Sequence, residues 1–314
     1  MKLLIIIPCL NEAETIGQVL QSCPKNIKDI SQIDTLVIDD GSDDGTSSEA
    51  VKVGAKVVKH HKNLGFGRSF RTAVNYAVEN EYDMMVSMDG DGQFNAAEIE
   101  SLVRPLIYDQ VDFVTGSRFA NKERIPNMPR IKMIGNRLMS YLISKLVGQS
   151  FQDVSCGFRS YNREALLKLN LYGNFTCSQE TFLECAANKM NIVEVPITVK
   201  YFKNRESRIA GSIFKYTFNT LGIIFSGYRD YFPLKFFWSI AFFFFVPGFI
   251  FGAIFFGHYI ITGVFTGFLF AGFLSAFFVV LAVIFLILGI LADMLDRIRS
   301  NQDRILYHLK KFKK

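Results

Sequence analysis

The chain has 314 residues, half of them hydrophobic, with a net charge of +6 and five cysteines. That length allows one large domain or two smaller ones. Cys9, Cys23, Cys156, Cys177 and Cys185 lack paired spacing, which excludes a cysteine-built metal site, and they read as buried, reduced side chains. The positive charge leans on the C-terminal tail, which points to anionic lipid and away from nucleic acid.

Short apolar runs alternate with amphipathic stretches through the first part of the chain, the pattern of strands joined by crossover helices. Lys2 leads directly into a strand at Leu3–Pro8, with no signal peptide expected, and a helix follows over Glu12–Ser22. A second strand, Asp34–Asp39, is followed by a helix from about Asp43 to Val53. Lys56–Lys59 reads as a third strand and Gly67–Glu79 as its helix. Asp83–Met88 is the fourth strand, then Ala96–Tyr108 a helix, Val111–Thr115 a strand, Pro129–Val147 a long helix and Val193–Lys200 a late strand. Ligands of open α/β sheets bind beyond the carboxyl ends of the strands, so Pro8–Glu12, Asp39–Ser42 and Asp89–Gln93 should converge on one crevice.

The last third is different. Of 32 phenylalanines, 18 lie between Phe232 and Phe285, and no Lys, Arg, Asp or Glu occurs from Phe236 to Ala292. A bilayer core takes about 20 apolar residues per helix, so two spans are expected, about 236–257 and 268–291. Arg229 and Lys235 precede the pair and a basic run follows it, while the turn between has none, which puts both termini in the cytoplasm. Residues 212–235 read as amphipathic interface helices and 293–314 as a basic amphipathic tail, leaving 1–211 as a cytoplasmic catalytic domain.

The chemistry concentrates at three strand ends. Asp89 and Asp91, one residue apart after an apolar strand, can share one divalent cation, with the Gln93 amide oxygen as a third hard ligand. An acidic solvated turn is the plainer reading of the same residues. Pro8-Cys9-Leu10-Asn11-Glu12 opens a helix and could grip a base and ribose, or Asn11 could simply cap that helix. In Asp39-Asp40-Gly41-Ser42-Asp43 a carboxylate can accept from a base or ribose, while Ser42 and Asp43 cap the next helix. Gly65-Phe66-Gly67-Arg68 lacks the ending of a P-loop and reads as a turn that starts a helix.

In their order, these motifs resemble the inverting family 2 glycosyltransferases of GT-A fold. Gly116-Ser117-Arg118-Phe119, Asp153-Val154-Ser155-Cys156-Gly157-Phe158-Arg159, Arg205-Glu206-Ser207-Arg208 and Tyr228-Arg229-Asp230-Tyr231 narrow the likeness to polyprenyl-phosphate glycosyltransferases, above all membrane-anchored dolichyl-phosphate mannose synthases. The resemblance implies an α/β fold: a GT-A, Rossmann-like nucleotide-sugar transferase domain followed by interfacial helices and a two-helix transmembrane hairpin. It implies a nucleotide-sugar donor (GDP-mannose or UDP-glucose), Mg²⁺ or Mn²⁺, and a polyprenyl or dolichyl phosphate acceptor at the cytoplasmic face of the cell membrane. By motif, Pro8, Leu10, Asn11, Glu12, Val37, Asp39 and Asp40 would hold the nucleoside side of the donor. Asp89, Gly90, Asp91 and Gln93 would form the metal and diphosphate site, with Arg205 and Arg208 closing over the donor phosphates. Arg118, Arg130 and Ser155 would meet the acceptor phosphate, and Asp153 would orient or deprotonate beside it, unless it is a structural ion pair with Arg159. A metal with arginine forks neutralises a departing diphosphate, and an anionic acceptor phosphate needs little help from a base.

Two departures matter. Phe94 stands where relatives commonly have Pro after the metal motif, and the late Arg205–Arg208 stretch is short, which makes Lys203 a rival for the donor phosphates. A processive polysaccharide synthase would carry Gln-x-x-Arg-Trp, but the only tryptophan, Trp238, lies inside the first span. The remaining alternatives are a UDP-sugar-dependent undecaprenyl-phosphate transferase and a non-catalytic transferase-like scaffold.

Overall fold

The computed structural model describes residues 1–120, 128, 130–170, 178–200, 222 and 225–312, with the side chains of 130–132 outside that set. They fall into two compact units, residues 1–223 with 305–314, and residues 224–304.

The first unit is built from strands β1 (Lys2–Cys9), β2 (Gln32–Asp39), β3 (Lys56–Lys59), β4 (Met84–Ser87), β5 (Phe113–Ser117), β6 (Arg159–Asn162) and β7 (Ile192–Pro196). They form one sheet in the order β3-β2-β1-β4-β6-β5-β7. Helices α1 (Ala13–Ser22), α2 (Thr46–Lys52), α3 (Phe66–Glu79), α4 (Ile99–Tyr108), α5 (Arg130–Val147), α6 (Arg163–Lys168) and α7 (Ser178–Ala187) connect the strands. Leu3 to Ile7 are all fully buried, the unbroken apolar run of a strand covered on both faces. In α4, Ile99, Leu102, Val103 and Leu106 turn inward at helical spacing. Asn95 starts the turn before α4, its side-chain oxygen accepting from Ala97 N at 3.2 Å.

β1 pairs in parallel with β2 and β4, and β2 with β3, as crossover helices require. The sequence reading missed β6, which runs antiparallel to both β4 and β5. Its residues, Arg159-Ser160-Tyr161-Asn162, look like a polar loop, yet the first three are buried. Partners supplied from elsewhere make that burial tolerable: Ser160 Oγ donates to Leu102 O at 2.7 Å, for example. The late strand is shorter than expected. Its ladder with β5 ends at Pro196, which lacks an N–H, and Val199 returns as a single bridge to Phe94.

The second unit holds α8 (Pro233–Thr262) and most of α9 (Leu269–Phe312). Both are long and apolar enough to cross a membrane. They meet through small residues. A methyl at Gly248 would lie 3.1 Å from Val279 Cγ2, and Ser275 Oγ donates to Gly248 O at 2.8 Å. Phe244 stacks on Phe285 with ring centroids 5.5 Å apart.

No Gly or Pro occurs after Gly289, and α9 runs unbroken from the apolar segment through the basic residues. Its last turns belong to the first unit. Tyr307 Oη lies 3.1 Å from both Glu164 oxygens, and Lys310 Nζ donates to Leu169 O at 3.0 Å and Asn170 Oδ1 at 2.8 Å. Lys310 thus serves acceptors just past the end of α6, a favourable place for a cation. Lys310→Met is expected to lower unfolding stability by about 1 kcal/mol in detergent, the usual worth of such a contact. An unchanged denaturant midpoint would contradict a stabilising role for this contact.

Candidate active site at the carboxyl edge of the sheet

Because β1, β2 and β4 run parallel, the loops after Cys9, Asp39 and Ser87 open on the same edge, as the sequence reading expects. The first turn of α1 ties them together. Asn11 N donates to Ser42 Oγ at 2.9 Å, Asp43 N to Asn11 Oδ1 at 3.1 Å, and Glu12 N to Thr46 Oγ1 at 2.9 Å. Thr15 Oγ1 donates to Gly90 O at 2.8 Å, joining α1 to the carboxylate loop. Asn11 is therefore a loop tie and not the helix cap: Glu12 holds the cap position, and Asn11 sits at φ 53°. Asn tolerates that left-handed backbone better than most residues. Pro8 and Leu10 flank Cys9 at the end of β1, and Val37 is fully buried within β2.

Asp39 is fully buried and accepts from Ser42 N at 2.7 Å and from Ser47 Oγ, with Lys59 Nζ 3.7 Å away. Burial opposes its ionisation, but these donors outweigh it and hold the pKa below the ordinary carboxylate value. Asp40 fixes the next loop. It accepts from Leu64 N at 3.0 Å and Gly65 N at 2.8 Å and meets His60 Nδ1 at 2.7 Å. Gly41, at φ 85°, is where that loop packs closest, since a methyl there would fall 2.5 Å from the Lys62 carbonyl carbon. The Gly65–Gly67 stretch does start a helix, α3. The expected capping by Ser42 and Asp43 is corrected: α2 begins later, at Thr46, and Asp44 Oδ1 accepts from Thr46 N at 3.0 Å.

Asp89 and Asp91 follow β4 in a tight turn, with Gln93 N donating to Asp91 Oδ1 at 3.0 Å. Burial, and then the Asp91 charge, push the Asp89 pKa up to about 7, against the pull of Arg118 and Arg159. Gly90 lies over the Cys9 thiol, where a methyl would come within 2.5 Å of Sγ. Gly157 lies against Asp89, and a methyl there would stand 3.0 Å from Oδ1. The Gln93 side-chain amide makes no hydrogen bond among the described residues, while its backbone oxygen accepts from Lys200 N at 2.9 Å.

Across from the carboxylates, Arg118 and Asp153 form a buried fork. Arg118 Nε and Nη2 lie 2.6 and 2.9 Å from the two Asp153 oxygens, with the side chains 8% and 0% exposed. Asp153 also accepts from Ser155 N at 3.1 Å. The alternative pairing of Asp153 with Arg159 is not what forms. Arg159 donates instead to the carbonyls of Cys156, Val154 and Ser178 at 2.7, 3.0 and 2.9 Å, between the rings of Phe113 and Phe182. Its charge has no carboxylate partner among the described residues and is felt at Asp89. Two buried donors, Ser155 Oγ two residues from Asp153 and Asn136 Nδ2 on α5, have no hydrogen-bond partner among the described residues. Asn136 lies one turn before Ser140, whose Oγ accepts from Val154 N at 3.2 Å.

Thr15, Gly157, Asn136 and Glu194 were missed in the sequence. Glu194 accepts from Gln152 N and Asp153 N at 2.8 Å each, and so positions the backbone of Asp153. Only the capping-box-like spacing of Glu12 and Thr15 could have hinted at one of them. Lys203, Arg205, Arg208, Cys177, the Arg130 side chain and half of the expected interface helices lie outside the described residues.

A mixed sheet of this order, with a carboxylate pair at the carboxyl edge of its parallel half, is the GT-A fold of sugar-nucleotide transferases. Residues 4–169, more than half of the chain, match the family described as Glycosyl transferase family 2, and the chain belongs to that family. It is 28% identical to a polyprenol monophosphomannose synthase from Mycolicibacterium smegmatis, over 67% of this chain and 81% of that protein. It is 31% identical to a UDP-N-acetylglucosamine–dolichyl-phosphate N-acetylglucosaminyltransferase from Methanococcus voltae, over 63% and 85%. An undecaprenyl-phosphate mannosyltransferase from Micrococcus luteus is 29% identical over 68% and 89%. In fold it is similar to glucosyl-3-phosphoglycerate synthase from Mycobacterium tuberculosis solved with Mn²⁺, UDP and phosphoglyceric acid. That likeness has a TM-score of 0.56 at 20% identity, over 71% of this chain and 78% of that one.

Proposed function

We propose that the protein moves a single sugar from a nucleotide-sugar to a polyprenyl phosphate at the cytoplasmic face of a membrane, with inversion at the anomeric carbon. The observation that carries this reading is a site with two chemically opposite halves. One half holds Asp89 and Asp91, and the other holds a buried guanidinium with two unsatisfied donors, Ser155 Oγ and Asn136 Nδ2. A phosphate acceptor needs donors of that kind, and a departing nucleoside diphosphate needs positive charge between itself and the carboxylates.

The donor set fits Mg²⁺ or Mn²⁺. Among the described residues no group of three or more His, Cys, Asp or Glu gathers, so the cation would rest on Asp89, Asp91 and the Gln93 amide oxygen, with phosphate oxygens of the donor. The raised pKa of Asp89 marks a site short of positive charge. When bound, the cation supplies charge neutralisation for the diphosphate. The chain does the rest: Asp39 and the α1 loop receive the nucleoside, and Arg118, held in orientation by Asp153, faces the acceptor phosphate. The attacking phosphate oxygen is already anionic, so both Asp153 oxygens can stay committed to Arg118 and the Ser155 N–H, which favours orientation over base catalysis.

Gly157→Ala should weaken Mn²⁺ binding about tenfold, ~1.4 kcal/mol, because the added methyl displaces the Asp89 carboxylate. An EPR titration of free Mn²⁺ reads this without any turnover, and an unchanged affinity would count against Asp89 as a ligand. The proposal as a whole is tested by incubating the purified chain with Mn²⁺, polyprenyl phosphate and separate GDP-mannose, UDP-glucose and UDP-N-acetylglucosamine. A glycosylated lipid phosphate from one donor is the expected product. Donor binding without transfer from any of them would favour a scaffold.

A further inference from the structure

Helix α5 carries apolar side chains on both faces: Met139 and Ile143 are buried, and a second set stands outward. Asn136 and Ser140 are 1% and 3% exposed on its inner face, whereas Ile134, Leu138 and Tyr141 are 62%, 54% and 58% exposed. Ile134, Leu138, Tyr141 and Lys145 recur at helical spacing along one exposed stripe, with Arg137 beside Leu138. Lys145 Nζ stands 5.6 Å over the Tyr141 ring. From Arg130 to Val147 the helix has no acidic residue.

We propose that the outward face of α5 rests on an anionic bilayer surface, with Ile134, Leu138 and Tyr141 entering the headgroup boundary and Arg137 and Lys145 meeting lipid phosphates. Large apolar side chains flanked by cations, without a single carboxylate, have the composition of an interfacial helix. The chain supplies its own membrane address, since α8 and α9 are long and apolar enough to span one. A second copy fits the face poorly. Two-fold pairing would bring basic faces that carry no acid against each other. The inner face of the same helix holds Asn136 and Ser140, so membrane contact and the acceptor side of the site would be separated by one helix diameter. The inference stands on exposure and charge, and does not depend on which sugar is transferred.

The test uses the full chain, one copy per nanodisc of anionic phospholipid, with a nitroxide at Leu138→Cys. A second label at Tyr108→Cys, on α4 and 52% exposed, is the aqueous reference, and signal from the parent protein is subtracted. The label at 138 should relax with molecular oxygen and be shielded from a water-soluble nickel complex, whereas the label at 108 should show the opposite. Equal nickel accessibility at the two sites would overturn the proposal. Shielding at 138 only in discs holding two copies would overturn it in favour of self-association. Full shielding in purely zwitterionic discs would contradict the anionic assignment.

Discussion

Asp91→Ala is expected to abolish sugar transfer while leaving the chain folded. Asp91 lies in a partly exposed turn after β4, where it accepts from Gln93 N among its contacts. Losing that bond costs about 1 kcal/mol, small against the stability of a domain this size. The functional loss is of another order. With one carboxylate gone, a cation that uses only two has a single charged ligand left, and the diphosphate loses its counter-charge. The check is turnover beside a thermal melt: an inactive protein with a melt close to wild type is the expected pair. Transfer near the wild-type rate would remove the carboxylate pair from the mechanism.

Asp153→Ala should fail differently, by unfolding. The Arg118–Asp153 fork is almost wholly buried, so solvent does not screen it. Removing one partner of such a buried pair leaves the other charge without its closest counter-charge and costs about 3–5 kcal/mol. The Ser155 N–H loses its acceptor as well, loosening the loop that backs Asp89 through Gly157. Denaturant unfolding of the full chain in detergent should show the midpoint falling sharply. Arg118→Met together with Asp153→Leu should recover much of the stability and none of the transfer, because an apolar pair of similar volume escapes the unpaired-charge penalty. Retained stability in the single variant would mean that the pair is not the structural centre of this loop.

The two variants separate what could be read in the chain from what could not. The carboxylate loop was legible because Asp89, Gly90, Asp91 and Gly92 follow an apolar run directly, and strand ends declare themselves locally. The convergence of three loops was legible for the same reason, since parallel strands must present their carboxyl ends together. The Arg118–Asp153 fork was not. Its members are 35 residues apart, and nothing in the local pattern told Arg118 from Arg159 as the partner of Asp153. Strand β6 was hidden because its buried Arg159 and Ser160 are satisfied from neighbouring carbonyls and from α4, which periodicity cannot see. Gly157 stood in a recognisable motif, but its role did not show, because it lies in the space left for a side chain 68 positions earlier. The apolar helices were plain from composition, but the docking of Tyr307 and Lys310 on α6 was not, since in the sequence both read as part of a basic amphipathic tail.

On the proposed reading a lipid phosphate oxygen, and not water, takes the sugar from its nucleoside diphosphate. The most direct measurement is the mass of the lipid formed from polyprenyl phosphate whose phosphate oxygens carry ¹⁸O. The account predicts a lipid that gains one sugar residue and no second phosphorus, with all the label retained and none in the released nucleoside diphosphate. A lipid diphosphate, or free sugar with the lipid phosphate unchanged, would contradict it.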